Sequence, residues 1–290
     1  MKRILPIIIL ALFLVVIIFV FKVDPDYPTS RSSDWLVVHF LDVGQGDCIL
    51  VQTPDCRNVL IDAGDRDSAD YVVNYLRDKG VRSIDIAVIT HPHVDHIGGL
   101  PTILNNFDVG SVLDVGYPHG SKCYLDTLAI IEARNISYRV AREGLNLPIS
   151  RYVQFEVLWP PQGYVPNGES GLNNGSVVLY INYQDVSFLL PADIQEEVEI
   201  QLLVNQKKLK STVLKVAHHG SNDATSCKFL EVVEPEFAVI SVGADNPYGH
   251  PARATLARLH ACGAKVFRTD EDGTIVVRTN GNVVTVETEK

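Results

Sequence analysis

The densest chemistry in this chain lies at Thr90-His91-Pro92-His93-Val94-Asp95-His96, where three imidazoles and a carboxylate fall within six residues. On a loop, such residues can converge on a metal, because alternate side chains of an extended segment point the same way. His91 and His93 would then share one ion. Asp95 and His96 would face a second, as in sites where two cations clamp the attacking and leaving oxygens of a hydrolysis. His39, His119 and His260 stand alone in the sequence and read as solvated or hydrogen-bonded surface residues. The five cysteines (Cys48, Cys56, Cys123, Cys227, Cys262) include no CxxC pair, so neither a sulfur zinc site nor a disulfide scaffold is indicated. Cys48 and Cys56 are the nearest in sequence, but spacing does not settle pairing.

The elements that must position this cluster follow from the apolar pattern. Residues 36–41, 48–52 and 59–61 read as short strands separated by Gly, Asp and Pro, residues 69–79 as a helix, and 84–89 as an apolar strand leading straight into the cluster. A helix should start near Gly98. Further on, strands are expected at 152–158, 176–181 and 186–190, followed by an amphipathic helix at 194–204. Strand 213–217, helix 226–233, strand 237–242, helix 251–261 and three short closing strands complete an alternating α/β pattern. No repeat or composition shift divides residues 34–290, which predicts one domain.

Composition fits an ordinary globular protein, with 46% hydrophobic and 21% charged residues. A net charge of −10 argues against a long electrostatic groove for duplex nucleic acid. Residues 4–21 carry no charge and follow Lys2 and Arg3, which predicts an N-terminal membrane anchor over residues 1–22, a linker at 23–33, and a catalytic domain on the outer face. Secretion after cleavage of a signal is the alternative, although no small-x-small site ends the run.

The H-x-H-x-D-H loop followed by Gly-Gly resembles the signature of the metallo-β-lactamase superfamily. More specifically, the chain resembles the extracytoplasmic hydrolase-like domain of the DNA-internalisation protein ComEC. The resemblance is carried by Asp42-Val43-Gly44-Gln45-Gly46-Asp47, Asp62-Ala63-Gly64, the histidine cluster, Asn173-Asn174-Gly175-Ser176, Pro191-Ala192-Asp193, Lys215-Val216-Ala217-His218-His219-Gly220-Ser221 and Asn246-Pro247-Tyr248-Gly249-His250-Pro251. It implies an αββα sandwich with one or two divalent metals, zinc or manganese, at one edge. It implies Asp193 as a carboxylate bridging the two ions and a histidine of the 218–219 pair as the last ligand. Strand-to-loop order favours His218, leaving His219 as an outer hydrogen-bonding group.

Many members have a third histidine for the first metal where this chain has Asn173 and Asn174, so an Asn oxygen, water or substrate must complete that shell. Asp62 would buttress a ligating histidine through its far nitrogen. Asp42, Gln45 and Asp47 read as turn formers. Ser221 and Thr225 are candidates for contact with an anionic substrate. His250 reads as a proton donor or a substrate clamp, or else as a capping residue, and stands with Asp95 as a catalytic candidate. A phosphodiesterase or nuclease is implied, acting on DNA or a phosphorylated surface group. The alternatives are a hydrolase of carbonyl substrates (lactone, thioester or β-lactam) and a metal-bearing module that binds DNA or another polyanion without turnover.

Overall fold

The computed structural model describes residues 33–205 and 207–290. The expected membrane anchor at 1–22 lies outside these residues, as does all but the last residue of the expected linker. Among the described residues, no helix is long and apolar enough to cross a membrane.

Two mixed sheets face each other. The chain first lays down β1 (Leu36–Phe40), β2 (Ile49–Gln52), β3 (Asn58–Ile61), β4 (Ser83–Ile89), β5 (Asp108–Asp114) and β6 (Ser137–Val140). It then builds a second sheet from β7 (Gln154–Trp159), β8 (Val178–Tyr183), β9 (Val186–Leu190), β10 (Val213–Lys215), β11 (Phe237–Ile240) and β12 (Lys265–Arg268). Finally β13 (Ile275–Thr279) and β14 (Val284–Thr288) return to the first, giving the orders β14-β13-β1-β2-β3-β4-β5-β6 and β12-β11-β10-β9-β8-β7.

Side-chain alternation divides each strand between two environments. Val38, Phe40, Val59 and Ile61 meet Phe155, Leu179, Ile181 and Phe188 between the sheets. Leu50, Leu60, Ala87 and Ile89 face outward onto helices Ala69–Asp78, Leu100–Asn106 and Lys122–Ala133. Leu189, Leu214, Ala238 and Ile240 do the same beneath Glu196–Val204, Cys227–Val233 and Arg253–Ala261. The result is an αββα sandwich, the architecture that the resemblance implies.

Several elements were not expected from the sequence. The stretch between 107 and 151 holds β5, the helix Lys122–Ala133 and β6, and a further helix spans Gly168–Asn174. His39 is a correction. It faces the helix layer rather than solvent, is 2% exposed, and has Nδ1 2.9 Å from the Tyr75 hydroxyl. All five cysteines are thiols.

The strands that matter for chemistry are β3, β4, β9 and β10. The pairs β3–β4 and β9–β10 are parallel, so their C-terminal ends open on the same edge of their sheets, where α/β proteins collect ligands.

Candidate metal centre

The loop after β4 carries the cluster, but it is not extended throughout. His93 is an extended N-cap, and Asp95 and His96 belong to a short helix, Val94–Ile97. This corrects the expected alternation along a loop. The helical turn sends Asp95 and His96 toward the other sheet together. The segment is fixed from beneath by the turn after β1: the Asp47 amide donates to the Asp95 carbonyl at 3.2 Å. Gly46 lies so close there, with φ +135°, that an added Cβ would sit 2.1 Å from the Asp95 oxygen.

Asp95, His96, Asp193 and His219 each offer one ligand atom, and all four atoms lie within 4.8 Å of one another. Asp193 follows β9. Its Oδ2 is 3.2 Å from Nε2 of both His96 and His219, and 4.0 Å from Nε2 of His91. His219 follows β10 in the turn Ala217–Gly220, where His218 and His219 both adopt positive φ (49° and 53°). Gly220 continues the turn at φ +80°, against Pro251, where a Cβ would come within 2.6 Å.

The tight turn separates the two histidines and reverses the preference for His218. The position brought to Asp95 and Asp193 is His219, with Nε2 3.5 Å from Asp95 Oδ2. His218 stands outside that group, its Nδ1 3.4 Å from Asp223 and its Nε2 3.4 Å from the Asn173 amide nitrogen.

The surrounding hydrogen bonds dictate which ring nitrogens face the centre. Asp62 Oδ2 lies 2.8 Å from His96 Nδ1, which engages that nitrogen and turns Nε2 to the centre, 3.2 Å from Asp193 Oδ2. Thr90 gives its hydroxyl to Asp62 at 2.7 Å and therefore accepts from His91 Nδ1 at 3.1 Å. His91 Nε2 is bare in consequence. The Ser241 carbonyl, 2.9 Å from His219 Nδ1, fixes the third ring in the same way.

His93 Nε2 lies 2.8 Å from Glu169, which leaves its Nδ1 facing His91 Nε2 at 3.0 Å. Those two nitrogens face each other at hydrogen-bond distance, so a proton or a cation must lie between or beside them. Asp193 Oδ1 and His219 Nε2 are also buried without a hydrogen-bond partner. Such a donor set fits a divalent cation better than an empty polar pocket.

Electrostatics agree. Burial pushes the His219 imidazole down, but Asp193 and Asp95 overcome it and lift it to about 10. Burial pushes Asp193 up, and His219 and His96 hold it well below the usual carboxylate range. The carboxylates therefore demand positive charge, which protons or a metal must supply.

Behind Asp193 lies Lys215, fully buried, with Nζ 2.5 Å from Asp47 and 3.7 Å from Asp193 Oδ1. Alternation along β10 sends Val213 and Lys215 to the same side, between the sheets. Asp47 is thus a buried counter-charge rather than the turn former the sequence suggested. Asp42 does close a turn, accepting from Gly44, and Gln45 accepts from the Gly243 amide at 3.2 Å.

A cleft of about 330 Å³ opens over the cluster, lined among others by His93, Asp95, Asn173, His218, Tyr248 and His250. Asn173 reaches it with Oδ1 unpartnered. Asn174 turns away and accepts from the Gln195 amide at 2.9 Å, holding the segment after Asp193. Ser221 is buried in the turn, with its carbonyl taken by Thr255 and its hydroxyl near Asp223, and does not line the cleft. Thr225 donates its amide to Glu199 and likewise lies away from the cleft.

Glu169, Asp223 and Lys215 were missed as parts of the site. Only Lys215 carried a signal, being a charge inside an apolar strand, which requires a buried partner.

The chain matches the metallo-beta-lactamase superfamily over residues 41–244. It belongs to that superfamily. Among its curated relatives, ComE operon protein 3 of Bacillus subtilis is 32% identical over 279 residues, covering 89% of this chain and 35% of its own length. Competence protein ComA of Neisseria gonorrhoeae is 32% identical over 251 residues, with 86% and 33% covered. This superfamily member thus spans about a third of the length of the curated relatives it matches.

Solved structures share the fold at low identity. Igni18, a metallo hydrolase of Ignicoccus hospitalis, superposes with a TM-score of 0.54 at 14% identity, covering 83% of this chain and 98% of that one. The CmlA beta-hydroxylase gives 0.55 at 12%, with 87% and 55% covered. One fold therefore carries different chemistries, and the reaction must be argued from the site.

Proposed function

We propose that this protein is a metal-dependent phosphodiesterase that cleaves its substrate with water, using one or two zinc or manganese ions. The observation that carries the reading is the convergence of the Nε2 atoms of His91, His96 and His219, turned by Asp62, Thr90 and Ser241 onto the carboxylates of Asp95 and Asp193 beneath an open cleft. A divalent ion held there acidifies a water and neutralises charge developing on substrate oxygen.

The protein's own groups do the remaining work. Asp95, His96, Asp193 and His219 form the main ligand set, and His91 and His93 offer a second beside Asp193. Lys215 lies 3.7 Å from the outer oxygen of Asp193, and Oδ2 is the oxygen turned to both sets. His250 lines the cleft with a buried Nδ1 that has no hydrogen-bond partner, a position suited to giving a proton to a leaving oxygen. A phosphodiester, of DNA or of a phosphorylated surface group, is supported by the likeness to a relative named a competence protein, and an extracytoplasmic, membrane-held location by the uncharged run at 4–21.

The test is hydrolysis of bis-p-nitrophenyl phosphate and single-stranded DNA by the full chain with zinc or manganese, against Asp95→Ala and His96→Ala. Metal-dependent cleavage lost in both variants is expected. No cleavage by protein that demonstrably holds metal would turn the assignment to a carbonyl substrate or to a binding module.

A further inference from the structure

The wall of the cleft beyond the ligands is built of rings. His218 and His219 have centroids 6.2 Å apart, His218 meets His250 edge-on at 5.7 Å, and Tyr248 stacks on His250 at 5.7 Å with 26° between planes. Tyr248 ends this series and is 68% exposed, so a large aromatic face is held open at the cleft mouth.

The loop that presents it is fixed by Asn246. The side-chain oxygen of Asn246 accepts from the Tyr248 amide at 3.2 Å and the His250 amide at 3.0 Å, while its amide nitrogen donates to the His250 carbonyl at 2.6 Å. A tyrosine braced by a second ring and a clamped backbone gives contact area at little cost in ordering. No core contact requires Tyr248 to stand there, since it is among the exposed large side chains.

We infer that Tyr248, backed by His250, is a stacking platform for an unpaired nucleobase of the substrate, close to the phosphodiester held at the ligand cluster. The inference rests on the phosphodiesterase reading and narrows it to single-stranded nucleic acid. A base inside a duplex has no free face, whereas a single strand offers one at every nucleotide. The net charge of −10 fits the same choice. Binding through base stacking at a short site needs less of the basic surface that a long duplex groove would require.

The experiment uses the full chain and a short thymidine strand carrying one 2-aminopurine, compared with the same strand abasic at that position. Binding is followed by anisotropy and stacking by quenching of the 2-aminopurine. The wild type should bind the base-bearing strand about tenfold or more tightly and quench it. Tyr248→Ala should bring that ratio to about one and abolish quenching, and Tyr248→Trp should keep both.

A wild-type ratio near one, or a ratio and quench retained by Tyr248→Ala, would overturn the platform. Hydrolysis of bis-p-nitrophenyl phosphate by the wild type, run in parallel, keeps the two readings apart. Hydrolysis with a ratio of one removes the platform alone, and a tenfold ratio without hydrolysis removes the phosphodiesterase and keeps the platform.

Discussion

At the scale of single residues, the decisive feature is which histidine of an adjacent pair reaches the carboxylates. His219→Ala should strip the ion bound by Asp95, His96 and Asp193, whereas His218→Ala should retain it, because His218 faces Asp223 and Asn173 instead. Metal content after dialysis, measured by mass spectrometry, checks this directly. The choice was not legible in the sequence because it depends on two successive residues with positive φ, a conformation that histidines do not announce. The H-x-H-x-D-H loop was legible, since four donors in six residues have few other uses.

His39 carries a second residue-scale prediction. Burial, helped by Lys79, lowers its imidazole from 6.5 to about 4. Between those values the folded chain binds fewer protons than the unfolded one, so stability falls as pH drops from 6.5 toward 4. Urea unfolding at pH 7 and pH 5 should show a smaller loss for His39→Gln than for the wild type.

At the scale of elements, most strands were visible as apolar runs, and the 186–190 strand was placed with its observed ends. The region from 107 to 151 was harder. Its β6, Ser-Tyr-Arg-Val, lies at the edge of its sheet, is mostly exposed and spans only four residues, too short a run for its polar–apolar alternation to mark a strand. The helix Gly168–Asn174 was hidden by two glycines and two asparagines, which are poor helix formers, yet it brings Glu169 and Asn173 to the cleft.

The strand that ends in Lys215 makes an energetic prediction. Lys215→Met leaves Asp47 buried without its partner and should cost about 3–5 kcal/mol in urea unfolding of metal-free protein. Adding Asp47→Leu should recover most of that, because a dry apolar pair replaces an orphaned charge.

At the scale of the whole molecule, the candidate ligands come from both sheets: His91, His93, Asp95 and His96 follow β4 in the first, and Asp193 and His219 follow β9 and β10 in the second. A bound ion therefore ties the two halves of the sandwich together. Zinc or manganese at a hundredfold excess over its dissociation constant should stabilise the folded chain by about 2.7 kcal/mol. The thermal midpoint should rise on loading and fall again with a chelator, an effect that His219→Ala should weaken and His218→Ala should not.

Closure of the two sheets also fixes when the protein can choose its metal. Only the 91–96 group exists as neighbours in an unfolded chain, and Asp193 and His219 join it after the sandwich has formed. The ion is accordingly selected wherever folding is completed. A chain that crossed a membrane unfolded would draw its metal from the supply on the far side, and the identity of that ion would record the compartment in which the protein matured.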